Sequence, residues 1–201
     1  MIELTIEDQK FVLSESWSEI TFSQYITIIN ITKDESLNEL LKAVKIISYI
    51  SDKPEACEKA ILNISQDDFK ELTTNFEWTN KTIEQDSVQK DSLEIDGKQY
   101  KIKSDYNKLT LGEMISVETL IAHNKNMDPF EIVFGVLLRE VIDGKEKEFN
   151  EDDFLYIIGQ LQDKVMLLDI YNHISFFLSG VEKSTTKTSK AFSIQQMAKS
   201  S

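Results

Sequence analysis

Few side chains in this sequence have the type and spacing that catalysis or metal binding requires. The two histidines, His123 and His173, lie far apart and neither has a second ligand at metal-binding spacing. We therefore expect each histidine at the surface or boundary of the fold. Cys57 is the single cysteine, which excludes an intramolecular disulfide framework. Its Ala- and Glu-rich, helix-like surroundings predict a small core or boundary residue and not a reactive thiol.

Two pairs of adjacent carboxylates are the next candidates for chemistry. Asp67-Asp68 and Asp152-Asp153 could act as general acids or metal ligands. Each pair follows an N-cap residue, Ser65 or Asn150, and so falls in the first turn of a predicted helix. Carboxylates there interact favourably with the helix dipole, which explains both pairs without catalysis.

The remaining motifs also point away from a reaction centre. Residues 143–147 indicate a turn and lack the alternating oxygen ligands of a calcium loop. The sequence contains neither a glycine-rich phosphate loop nor a nucleophile-elbow serine. We therefore predict no catalytic residues, no cofactor site and no metal site, and expect that the chain is not an enzyme.

The elements that carry these residues are organised by an internal repeat. Two stretches 89 positions apart share one pattern without a gap, with Leu4, Ile6, Phe11, Trp17 and Thr21 matching Leu93, Ile95, Tyr100, Tyr106 and Thr110. Apolar residues alternate with polar ones at the period of a half-buried strand. Asp96-Gly97 is typical of a two-residue hairpin turn. Each stretch thus predicts a β-hairpin followed by a corner and a helix.

Each predicted helix begins with a capping box. Thr21 with Gln24, and Thr110 with Glu113, have the spacing at which hydroxyl and side chain cap each other's backbone N–H groups. A second helix follows in each half, over about 37–50 and from Asp128-Pro129 to about Ile142. A third begins at Ser65 and at Asn150.

The two halves differ after their third helix. In the second half, Phe154, Ile158, Leu161, Val165 and Leu168 follow a 4-3-4-3 spacing. That spacing predicts one long helix from about 151 to 178, ended by Gly180. The predicted fold is α+β and predominantly helical. It has two hairpin-plus-helices repeats, 1–78 and 92–180, a linker 79–91 and an extended basic arm, 181–201.

This C-terminal arm differs in composition from the rest of the chain. Four lysines and one glutamate give residues 182–201 a charge of +3. Because the whole chain carries −13, residues 1–181 carry −16. Composition alone is compatible with a disordered tail. The alternative is an arm that binds a neighbouring acidic subunit. The residues predicted to bind that partner are Lys183, Lys187, Lys190, Phe192, Ile194 and Met197.

Charge and hydropathy exclude further classes. A net charge of −13 argues against general or sequence-specific nucleic-acid binding, which needs clustered Lys and Arg. The chain begins with a strand-like pattern, without a signal segment or an apolar run of about 20 residues. We expect no membrane association and synthesis in a cytoplasm.

The segment 11–25 resembles the opening of small tail, baseplate and neck proteins of tailed bacteriophages, and 106–114 repeats its style. Those proteins have a hairpin, an aromatic residue and an Ile/Leu-Thr-x-x-Gln/Glu-Tyr helix start. The resemblance implies a virion protein whose partners are other phage structural subunits (portal, neck or tail proteins) and further copies of itself. It transfers no functional residues.

Three functions are compatible with these observations. The first is a non-enzymatic neck or tail ring or adaptor protein that assembles around the DNA channel through its arm. The second is a tail assembly chaperone or scaffold, absent from the mature particle, that binds a helical tail component. The third, a small enzyme or regulatory domain outside phage biology, needs a pocket with convergent titratable groups.

Overall fold

The computed structural model describes residues 1–83, 90–103, 105, 108–124 and 127–181. The chain divides into two compact units. Unit 1 comprises Met1–Val88 together with Gln162–Asp169, and unit 2 comprises Gln89–Leu161 and Ile170–Ser201. The predicted α+β, predominantly helical fold is confirmed.

Unit 1 consists of a hairpin followed by four helices. Its elements are β1 Ile2–Ile6, β2 Gln9–Leu13, α1 Phe22–Lys33, α2 Glu39–Tyr49, α3 Pro54–Ile61 and α4 Gln66–Thr74. The turn of the hairpin places Glu7 and Asp8 at positive φ, as a two-residue turn of this hand requires. After α2 the chain pairs with β2, since Leu13 and Ser51 form an antiparallel bridge. The apolar sides of these elements form the core of the unit.

A distant segment completes unit 1. The N–H of Phe22 donates to the Val165 carbonyl oxygen at 2.8 Å, and the N–H of Leu167 donates to that of Ile20 at 2.8 Å. Thr21 and Met166 thereby form an antiparallel bridge. Residues 162–169 therefore belong to the first unit, although they lie late in the sequence.

Unit 2 repeats this order with a larger sheet. Its elements are β3 Ser92–Ile95, β4 Lys98–Ile102, α5 Leu111–His123, α6 Pro129–Leu137, β5 Leu138–Ile142, β6 Lys145–Glu146, α7 Glu151–Gln160 and most of α8. The described part of α8 spans 167–181, and its residues from Ile170 onward belong to unit 2. The antiparallel sheet has the order β3-β4-β5-β6. Its first hairpin turns at Asp96 and Gly97, both at positive φ, as predicted.

The helix predicted from Asp128 to about Ile142 is wrong in its second part. Helix α6 ends at Leu137, and the next five residues form β5. This strand pairs with β4 from Ile102 opposite Leu138 to Gln99 opposite Val141. Backbone pairing with a strand some 40 residues earlier outweighs the helical pattern, because it satisfies a full row of buried backbone groups.

The single helix predicted over 151–178 is two helices. Helix α7 ends at Gln160, and α8 begins at residue 167. The segment between them forms backbone hydrogen bonds with unit 1 instead of continuing the helix. For example, the Ser23 N–H donates to the Gln162 carbonyl oxygen at 3.0 Å. The described part of α8 starts later than the 4-3-4-3 spacing predicts, and it continues through Gly180, where the sequence predicts the helix to end.

The predicted linker 79–91 is partly packed where the structure describes it. A 3₁₀ turn spans Glu77–Asn80. The Trp17 indole donates to the Lys81 carbonyl oxygen at 3.1 Å, and Ile83 is buried. Residues up to 83 thus contribute to unit 1. The predicted corner residue Tyr106 lies outside the described residues.

Helices α6 and α7 approach so closely that only glycine fits at position 135. A Cβ at Gly135 would lie 2.7 Å from Phe154 Cδ2 and 2.9 Å from Ile158 Cγ1. We expect Gly135→Ala to lower the free energy of unfolding by about 1–3 kcal/mol through overpacking. Chemical denaturation followed by circular dichroism measures the change.

Gly159 provides the matched control for that substitution. It lies in the same pair of helices, but no heavy atom of the described chain lies within 4 Å of its Cβ position. Gly159→Ala should therefore stabilise the protein by about 0.5–1 kcal/mol, the difference in helix propensity. Equal effects of the two substitutions would contradict the close approach of α6 and α7.

Candidate functional site

The partner-binding residues predicted from the sequence lie outside the described residues. They are Lys183, Lys187, Lys190, Phe192, Ile194 and Met197. The candidate site in the described part of unit 2 is a different surface, the exposed side of helix α5. Of its 13 residues, only Val117 is buried.

Two large apolar side chains one helical turn apart define this surface. Leu111 is 72% exposed and Ile115 is 55% exposed. Residues four apart lie on one side of a helix. We call this pair the α5 face. Exposed apolar residues are common singly, and two on the same side of one helix make this surface a candidate for a contact.

Glu113 anchors the start of α5 to the sheet of unit 2. It completes the predicted capping box: its N–H donates to Thr110 Oγ1 at 3.2 Å, and its Oε2 accepts from the Thr110 N–H at 2.8 Å. Its Oε1 accepts from the Lys103 ammonium at 3.2 Å. Burial acts to raise the pKa of Glu113, but these hydrogen bonds outweigh it and lower the pKa below its ordinary value. The hydrogen bonds and ion pair of Glu113 therefore fix the start of the helix that carries the α5 face.

Arg139 on β5 forms the buried side of the same network. It is only 3% exposed, and its Nη2 lies 3.5 Å from Glu113 Oε1. Its Nη1 donates to the carbonyl oxygens of Val136 and Leu138. The guanidinium also lies over the Phe149 ring, 4.9 Å from the centroid. Burial lowers its pKa, while Glu113 acts against that shift.

A small cavity adjoins Arg139. It measures about 20 Å³ and is lined in part by Tyr100, Phe149 and Tyr156. A cavity of that size holds about one water molecule, and ligand pockets are of the order of 300–1,000 Å³. Lys147, the other cation of the lining, is paired with Asp153 at 2.7 Å. Arg139 is thus positioned to tie α5, β5 and the loop at Phe149 together.

Unit 1 has two open depressions beside its β1–β2 hairpin, of about 650 and 550 Å³. The first is lined by Glu7, Glu55, Lys53 and Lys59 among others, and the second by Glu7, Asp68 and Glu71. The lining residues include neither histidine nor cysteine. The charged residues named here are exposed to solvent.

The histidines occupy two different environments. His123 is exposed, with Nδ1 2.9 Å from the Thr119 carbonyl oxygen within α5. His173 is buried, which contradicts the expected surface or boundary position. Its Nε2 donates to the Lys90 carbonyl oxygen at 3.0 Å, and burial lowers the pKa of the ring. The long-range hydrogen bond satisfies one ring nitrogen in the core, while Nδ1 is buried without a hydrogen-bond partner among the described residues.

Cys57 and the carboxylate pairs lie where the sequence predicts them. Cys57 is fully buried in α3, and burial raises the pKa of its thiol. The side chains of Ser65 and Asn150 accept from the N–H groups of Asp68 and Asp153. In the described ranges, no group of three or more histidine, cysteine or acidic residues is placed to hold a metal ion.

None of the helices between residues 1 and 181 that the structure describes is long and apolar enough to cross a bilayer. Comparison of the chain with protein-family models, curated proteins and solved structures gives no match.

Proposed function

We propose that this chain is a non-enzymatic structural component of a tailed-phage virion, a neck or tail ring or adaptor protein that assembles around the DNA channel through its C-terminal arm. The observation that carries the proposal is the α5 face. Unit 2 leaves Leu111 and Ile115 exposed, whereas the matching residues of unit 1, Phe22 and Ile26, are buried. A repeated unit with an uncovered apolar surface is suited to assembly with a partner.

Charge and sequence resemblance support the same function. Residues 1–181 carry −16, and an acidic channel wall repels DNA phosphates and lets the genome pass without being held. The basic arm has the opposite sign, so it is attracted to the acidic body of a neighbouring copy. The segments 11–25 and 106–114 resemble the openings of phage tail, baseplate and neck proteins.

A tail assembly chaperone is the second candidate. Two apolar residues at i and i+4 on an exposed helix can also receive the apolar side of a helix from a tail component. In that case the partner would be a different protein, and the chain would be absent from the mature particle.

Mass spectrometry of infected cells and of gradient-purified particles distinguishes these functions. The ring or adaptor proposal predicts peptides of this chain in both samples. Peptides in cells but not in particles select the chaperone. A chain that is monomeric after purification and absent from particles contradicts the ring proposal.

Removal of the arm tests its role in assembly. A chain ending at residue 181 should keep its helical circular dichroism and its thermal transition, because the described core lies within residues 1–181. Its self-association, or its incorporation into particles, should fall by at least about tenfold, the effect of losing one interface anchor. An unfolded product would show instead that the arm belongs to the core.

A further inference from the structure

The internal repeat indicates what is missing from unit 2. In unit 1, the backbone of Ile20–Ser23, which we call the Ile20 edge, is paired with residues 162–169 of the same chain. The matching backbone in unit 2, which we call the Leu109 edge, is Leu109–Gly112. Both edges lead into a helix through a complete capping box, so their backbone geometry is alike.

Within the described part of unit 2, three backbone groups of the Leu109 edge have no hydrogen-bond partner. In the Ile20 edge, the Ile20 carbonyl oxygen accepts from Leu167, and the N–H groups of Phe22 and Ser23 donate to Val165 and Gln162. Among the described residues, none donates to the Leu109 carbonyl oxygen or accepts from the N–H groups of Leu111 and Gly112. The edge thus presents one acceptor and two donors in the arrangement that binds a chain segment in unit 1.

Side-chain burial shows the same difference. Phe22 is completely buried and Ile26 is 5% exposed. Their counterparts 89 positions later form the α5 face and are 72% and 55% exposed. The Leu109 edge and the α5 face together form a surface whose apolar side chains are exposed, whereas the matching side chains of unit 1 are buried.

We propose that this surface binds the C-terminal arm of a second copy of the chain, with Phe192, Ser193 and Ile194 in the place that Val165, Met166 and Leu167 take in unit 1. Val165 and Leu167 are buried, and Met166 between them is 36% exposed. Phe192 and Ile194 have the same spacing, with the polar Ser193 at the position of the partly exposed Met166. When the arm pairs with the Leu109 edge in the same register, both of its apolar side chains turn toward the α5 face.

Charge and reach suit a segment from another copy. The arm carries +3 and the rest of the chain −16. Residues 182–191, between the described end of α8 and Phe192, can span up to about 33 Å when extended. One arm and one acceptor surface per chain make a head-to-tail contact, which closes into a ring when the rotation between copies allows it. The inference rests on the proposed function in one respect, that the arm mediates assembly.

Cross-linking between two chains that each carry one introduced cysteine tests this contact. A Thr110→Cys chain is mixed with a Ser193→Cys chain under mild oxidation, because these positions match the Thr21–Met166 bridge of unit 1. The mixed dimer is identified by its mass. Cys57 is completely buried and so stays unreactive. The control pairs Ser193→Cys with Leu155→Cys, because Leu155 is also in unit 2 and is 63% exposed. We expect at least about tenfold more mixed dimer with Thr110→Cys, since a disulfide forms only where the Cα atoms come within about 7 Å and the side chains face each other.

The outcomes separate this inference from the proposed function. Equal or greater cross-linking to Leu155→Cys overturns binding at the Leu109 edge but leaves assembly through the arm intact. An unmixed Thr110→Cys, Ser193→Cys double variant that cross-links only within its own chain shows that the arm folds back, which also overturns the inference. Absence of mixed dimers together with a monomeric full-length chain contradicts both.

A second variant removes the apolar surface without touching the arm. Ile115→Glu should raise the dissociation constant for self-association at least about tenfold, because it places a charge in an apolar contact. Leu155→Glu is the control and should leave that constant unchanged. Sedimentation of the full-length variants measures both, and an unchanged constant for Ile115→Glu argues against the α5 face as the binding surface.

Discussion

Arg139→Ala is expected to lower the free energy of unfolding by about 3–5 kcal/mol, the usual effect of removing one partner of a buried ion pair. The substitution leaves Glu113, which is only 11% exposed at its side chain, with Lys103 as its remaining close cation. It also removes the donors to two carbonyl oxygens and the contact with the Phe149 ring. Urea denaturation followed by far-ultraviolet circular dichroism measures the loss.

A double variant provides the control for this prediction. Arg139→Met with Glu113→Gln removes both charges together, while Gln at this position can still complete the capping box with Thr110. Replacing a buried ion pair by uncharged groups of similar size is often nearly neutral, so the double variant should lose less than the single one. A loss below about 1 kcal/mol for Arg139→Ala would show that this network contributes little to stability.

Leu167→Ala is the second substitution with a large expected effect. Leu167 is completely buried, and its loss should cost about 2–5 kcal/mol through the cavity it leaves. The effect should appear in unit 1, although residue 167 lies late in the sequence. Trp17 and Trp78, the two tryptophans of the chain, are both in unit 1, with ring centroids 5.0 Å apart. Their fluorescence therefore reports on that unit selectively.

We expect the tryptophan transition of Leu167→Ala to move to a lower urea concentration. Met166→Ala is the control, because Met166 is 36% exposed and its truncation removes less buried surface. An unchanged tryptophan transition in Leu167→Ala would show that residues 162–169 do not stabilise unit 1.

Local signals in the sequence were sufficient for much of the fold. The capping boxes at Thr21 and Thr110, the hairpin turn at Asp96-Gly97 and the helix starts at Ser65 and Asn150 each depend on residues within four positions of one another. Side chain and backbone in such motifs satisfy each other regardless of the rest of the chain. These predictions were confirmed for that reason.

The errors concern elements decided by distant partners. The apolar run at 132–142 has a helical pattern, yet its second part pairs with β4. A usable signal was present: Val141 and Ile142 are β-branched and precede Asp143-Gly144, whose residues have the positive φ of a hairpin turn. The break between α7 and α8 had no comparable signal, because its cause lies about 140 residues earlier, at Ile20–Ser23.

The candidate site could be predicted only in part. Leu111 and Ile115 fit the apolar pattern of a helix, and such residues are ordinarily interpreted as core. Their exposure becomes informative only beside Phe22 and Ile26, which are buried at the matching positions. The repeat in the sequence identifies the equivalent positions, but only the structure shows that the two copies differ in covering.

The late position of residues 162–169 has a consequence for the order of synthesis. At about 5–20 residues per second, a ribosome needs several seconds to proceed from residue 88 to residue 169. During that interval the Ile20 edge has emerged without the segment that pairs with it, and it resembles the Leu109 edge of the finished chain. Unit 1 therefore completes its fold after most of unit 2 has been translated. If the Leu109 edge binds an arm as proposed, a nascent chain briefly has two edges of this kind, and its own residues 162–169, at high local concentration, would fill the first before the arm of another copy.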